Sequence, residues 1–136
     1  MTVEGDAAKA IFIEIGAGDL IDRATILDIK TERVADPAKR ANIARELFAL
    51  EPARSSLLAS FPALAALQAE LKGINETLWD IEDAIRRCEA LGDFGPRFVE
   101  LARAVYKNND KRADLKKTIN VLSGARIVEE KSYNAK

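Results

Sequence analysis

The amino-acid sequence predicts a mainly α fold, an antiparallel bundle of about four helices with a short two-stranded β pair formed by the N- and C-terminal segments. Three observations carry this. From Pro62 to Leu91, apolar residues fall at Leu64, Leu67, Leu71, Ile74, Leu78, Ile81, Ile85 and Cys88, in steps of three and four without a slip. That is the seam of a long helix packed on other helices, and at ~1.5 Å per residue it would be about 45 Å long. A second seam of the same spacing runs Phe98, Leu101, Val105, Asn108, Arg112, Leu115, Ile119 and Leu122. Finally, Gly, Pro and Asp residues punctuate the chain where helices should start and stop, and β-branched runs lie only near its two ends.

Taken in order, Met1 to Lys9 has no apolar pattern and reads as a flexible leader. Ala10 to Ile15 (AIFIEI) reads as a strand with Ile11, Ile13 and Ile15 on one side, ended by Gly16-Ala17-Gly18. Gly18 or Asp19 would cap a first helix to Val34. Its Leu20, Ala24, Leu27, Thr31 and Val34 form one stripe, and Ile21, Ile26 and Ile29 spread apolar surface round the rest, the mark of a central helix. Asp36-Pro37 restarts the chain as cap and first helical residue. Ile43, Leu47 and Leu50 point inward, and Pro52 should end or kink the second helix, with a turn or two more through Leu57 and Leu58.

The long third helix begins at Phe61-Pro62 and stops at Gly92; Gly73 inside it would mark a close approach of another backbone. The fourth begins near Pro96 and ends before Gly124. A break at Asn108-Asn109-Asp110 is the alternative, but the seam keeps its phase on both sides and favours continuity. Ala125 to Tyr133 (ARIVEEKSY) reads as the second strand, and residues 134–136 as a flexible tail. One domain, residues 10–133, follows from the length of 136.

Composition narrows the function classes. A net charge of −1, from 21 basic and 22 acidic side chains, argues against a general nucleic-acid binder. No apolar run is long enough to insert in a membrane, and the N-terminus carries no secretion-signal pattern, so a cytoplasmic setting is the simple expectation. A single cysteine forms no internal disulfide, and Cys88 on the seam reads as a small buried hydrophobe. Histidine is absent, which removes Ser-His and Cys-His nucleophile pairs and most zinc sites. Neither nucleotide-binding glycine fingerprint is present, so no cofactor and no metal are expected.

Polar residues on faces that should be buried supply the candidate site. Asp22, Lys30 and Arg33 lie on the first helix, Asn75, Trp79, Glu82 and Arg86 on the third, Asn108, Arg112 and Lys116 on the fourth, and Lys131 and Tyr133 in the tail. Burying an unpaired charge costs several kcal/mol, so these groups must pair, reach water or meet a ligand. In one reading they form a polar network that fixes helix register. In the other, Lys30, Arg33, Asn75, Trp79, Arg86, Asn108, Arg112, Lys116, Lys131 and Tyr133 line a cleft for a small anion such as a phosphosugar or nucleotide sugar. Trp79 or Tyr106 would supply a flat face there, and Glu82 could act as a base. Arg97 to Arg126 holds eight Lys or Arg against three acids, and Pro62 to Leu91 three against six. The plain account is that these helices are neighbours and pair their charges.

The phrases GDLIDRATILDIKTERV, NETLWDIEDAIRRCEALGDFGPRFVELARAVYKNNDKRADLKKTIN and VEEKSY resemble those of a bacterial family of small, mostly helical proteins of unknown function. The resemblance covers about Ile11 to Tyr133. It implies a loose association with glycosyltransferase and surface-polysaccharide genes, and it assigns no role to any residue. IDRATILDIKTERVAD also faintly resembles the first helix of bundle enzymes of the chorismate mutase kind, although their later motifs do not follow. Three functions therefore stand side by side: an anion-binding domain, a non-catalytic accessory or oligomerisation protein that forms a homodimer, and, behind these, a chorismate-mutase-like enzyme.

Overall fold

The computed structural model describes residues 9–133, so the expected leader (apart from Lys9) and the expected tail lie outside the described residues. Four helices make up the fold: α1 (Ala17–Arg33), α2 (Pro37–Ser60), α3 (Leu64–Leu91) and α4 (Pro96–Ser123). Each terminus has a local cause. Asp36 Oδ2 accepts from the Lys39 amide at 3.0 Å and Pro37 holds the first helical position of α2. Gly92 and Gly124 close α3 and α4 in the left-handed conformation (φ 66° and 67°). The following amides then bond back, Asp93 to the Cys88 carbonyl and Ala125 to the Asn120 carbonyl, both at 2.9 Å.

α1 is central, packing against all three other helices. Ile21, Ala24, Thr25, Leu27 and Ile29 are buried on more than one side of it. Ile21 joins Leu64, Leu71 and Ile119 in one apolar cluster, and Ile81, Ala84, Cys88 and Leu101 form a second at the other end of the α3–α4 pair. Low numbers on α3 thus meet high numbers on α4, which makes the two antiparallel. Cys88 is a buried free thiol within the second cluster.

Four expectations are corrected. No strand forms among the described residues, so there is no β pair. Residues 10–16 and 125–133 do lie together: Arg126 donates to the Glu14 carboxylate, with Nε to Oε2 at 3.1 Å. They are held by side chains and by close approach at Gly16, and no backbone ladder forms between them. Ile11 and Phe12, 90% and 87% exposed, find no apolar surface to cover them. A lone strand pair without such a surface is marginal.

Pro52 does not end α2, which continues to Ser60. The missing hydrogen bond falls on the exposed side, where Phe48 and Pro52 face solvent and water can satisfy the freed carbonyl. Gly73 marks no close approach; a Cβ there would meet nothing within 4 Å. And the charges of α3 and α4 do not pair with each other: among the described residues no ion pair joins them, because their contact is apolar. The cations of α4 turn instead to α1 and to the segment after α4. The fourth helix is continuous through Asn108-Asp110, Asn108 donating to the Ala104 carbonyl at 2.9 Å.

Candidate functional site

Asp22 is the centre of the polar arrangement. Its position on α1 puts it among α1, α3 and α4, with 5% of its surface exposed. Oδ1 accepts from Asn75 Nδ2 and from Arg112 Nε, each at 2.9 Å, and Oδ2 accepts from the second arm of the Arg112 guanidinium. Lys116 Nζ stands 3.9 Å from Oδ2, 2.8 Å from Asp19 and 3.8 Å from Glu129. Asn75 also donates to Thr25 Oγ1 at 3.0 Å, and Thr25 donates to the Asp22 carbonyl at 2.8 Å. Burial alone would push the Asp22 carboxyl up. The hydrogen bonds from Arg112 and Asn75 and the charges of Arg112 and Lys116 outweigh it and hold the carboxyl below the usual aspartate range. Arg112 is raised in turn, chiefly by its hydrogen bond to Asp22.

Glycine makes this approach of helices possible. A Cβ on Gly18 would stand 2.4 Å from the Lys116 carbonyl oxygen, so α1 begins against the backbone of α4. The Gly18 amide donates to Asn120 Oδ1 at 2.8 Å. A side chain from α4 thereby caps α1, a task that no residue of α1 itself performs.

Other candidate residues lie farther out. Arg33 pairs with Asp80 at 2.6 Å, its guanidinium 5.8 Å from the centre of the Trp79 ring. Arg86 pairs with Glu82 one turn before it on α3, so the proposed base is an exposed carboxylate already engaged by a neighbour. Lys117, not Lys131, binds Glu130. Asn75, Trp79, Glu82, Arg86 and Arg112 border one cleft of about 390 Å³, together with Asp83 and Asn109. Lys116, Lys131 and Tyr133 border another of about 850 Å³, beside Tyr106 and Lys117. Lys30, Arg33 and Asn108 border neither. The ten residues therefore do not share a single cavity.

The electrostatic balance of the clefts decides what they could hold. The smaller sets Arg86 and Arg112 against Glu82 and Asp83. The larger sets Lys116, Lys117 and Lys131 against Asp110, Asp114, Glu129 and Glu130. Neither offers a net positive field to an anion. Among the described residues no group of three acidic or cysteine side chains is placed to hold a metal ion. Among the described residues no helix is long and apolar enough to cross a membrane.

Two polar groups escaped the sequence reading. Arg54 on α2 is buried, 9% exposed, and forks between Glu51 (2.8 and 2.7 Å) and Asp28 of α1 (2.7 and 3.2 Å). The spacing of Glu51 and Arg54, three apart on a helix, was the available signal, but such pairs are common on solvated faces. Asn120 gave no signal, since its partner is a backbone amide 102 residues away.

A model of a known protein family matches residues 11–136. The chain belongs to the family of unknown function DUF6165. No curated protein and no solved structure matches this DUF6165 chain. The DUF6165 match reaches back through residues 11–16, before α1, and forward past the segment that borders the larger cleft, so it takes in every candidate residue named above.

Proposed function

We propose that this chain is a non-catalytic accessory module of the cytoplasm, a helical scaffold that acts by assembling with other protein surface. The observation that carries this is the compensation of the buried cations from within. Arg112 and Lys116 are answered by Asp22 and Asp19, and Arg54 by Asp28 and Glu51. A guest anion is not needed to balance them, and the polar set serves to fix helix register. The free thiol Cys88, buried and unpaired, is consistent with a reducing setting. A glycosyltransferase is the partner class implied by the family resemblance, and no feature of the surface singles it out.

The second reading, a phosphosugar or nucleotide-sugar site, keeps one supporting observation: Trp79 and Arg86 share a solvent-reachable cleft. A bundle enzyme of the chorismate mutase kind would need cations free to hold a dicarboxylate, and those facing Asp22 are occupied. A thermal-shift screen with inorganic phosphate, sugar phosphates, nucleotide sugars and chorismate separates the readings. The expected outcome is no rise in Tm with any of them. A rise that disappears in Arg86→Ala or Lys131→Ala would overturn the scaffold reading in favour of a ligand.

A further inference from the structure

α2 is the least covered helix of the bundle. It has 24 residues, and the one buried among them is Arg54. Ile43, Leu47 and Leu50 are half-buried, and Phe48 is 83% exposed. A helix of this length draws its stability mainly from packing an apolar face, and here that face is only partly covered. An apolar groove of about 710 Å³ runs along α2 beside Thr31 of α1, and among its lining residues Pro37, Ala41, Ala44 and Phe48 form a stripe. Steps of four, three and four put these on one face.

The stripe is complementary to itself. A large ring at Phe48 stands one and two turns from two alanines. Antiparallel pairing of two α2 helices about a point between Arg45 and Glu46 sets each Phe48 against the Ala41–Ala44 step of the other copy. Arg40 and Glu51 border the same groove and are equally far from that point. Symmetry then brings Arg40 opposite the partner's Glu51, twice, as flanking charges pair across antiparallel helices; each Glu51 carboxylate, which accepts from Arg54 of its own chain, has lone pairs left for this second cation. Among the described residues Arg40 uses Nη1 alone, donating to the Thr31 and Val34 carbonyls, and keeps Nε and Nη2.

We propose that the chain forms a twofold homodimer through this groove, with the α2 helices antiparallel. The proposal rests on the assembly reading and names its first partner, a second copy of the chain. Sedimentation of the full chain is expected to give twice the 14.9 kDa chain mass. Phe48→Glu and Ala44→Glu each return it to the single-chain mass with unchanged far-UV helix signal. Leu91→Glu, at an equally exposed apolar residue on α3, stays dimeric. Oxidised Ala44→Cys gives an interchain disulfide near the twofold point, which native Cys88 is too buried to form. A wild-type chain that sediments at 14.9 kDa at every concentration overturns the dimer. A dimer that survives Phe48→Glu, or that Leu91→Glu breaks, overturns the α2 interface and leaves the assembly reading intact. That reading falls instead to an anion-dependent rise in Tm.

Discussion

Asp22 carries more interactions than any other side chain of the network, and its removal should be felt throughout the bundle. Asp22→Ala leaves Arg112 and Lys116 facing each other without their shared counter-charge, which costs about 3 kcal/mol in urea unfolding. The pH dependence has a definite sign. The folded carboxyl lies below its unfolded value of about 3.9, so its contribution is fully present above that pH and is lost as pH falls through the folded pKa. Unfolding midpoints measured between about pH 2 and pH 6 should therefore fall at the acid end, and Asp22→Asn should flatten that limb. An unchanged limb in the variant would show that other carboxylates control acid unfolding. Asp22, Asn75 and Arg112 were visible as polar residues on buried faces because their helical phase places them there. Their partners were not visible, since periodicity gives the face of a helix and not which helix it meets.

The helices differ in how they are held. α3 and α4 pack through apolar residues at regular spacing, and that regularity is what made their extent and their glycine stops readable. Pro52 reads as an end or a kink of α2, with a turn or two more beyond it, because the rule about interior proline assumes a carbonyl with nowhere else to turn. On an exposed face that assumption fails. Likewise the β-branched ends read as strands because local propensity favours them, and the fold supplies no sheet for them to join. Two substitutions test the elements. Gly73→Ala should stabilise the protein by about 1 kcal/mol, as the added methyl meets open space and removes backbone freedom. Asn120→Ala should cost about 1 kcal/mol by leaving the first turn of α1 uncapped. Chemical denaturation of both variants against the native chain provides the comparison; a neutral Asn120→Ala would mean that water replaces the cap.

At the scale of the whole molecule, three helices share the Asp22 network and apolar clusters, while α2 is fastened mainly by the Arg54 fork and by Leu57 and Leu58. Arg54→Ala should cost about 2 kcal/mol, the worth of its charged hydrogen bonds. In the Phe48→Glu variant, amide exchange should be faster along α2 than along α3, since local opening follows the least buried element. Equal protection of the two would mean that α2 opens only with the rest. The contact at Gly18 ties steric fit to electrostatics in this assembly. A single hydrogen atom there lets the start of α1 rest on the Lys116 carbonyl. A methyl group in its place would act as a shim, lifting one end of α1 and drawing Asp19 and Asp22 away from Lys116 and Arg112. The ion cluster would then loosen although none of its charged members had been altered.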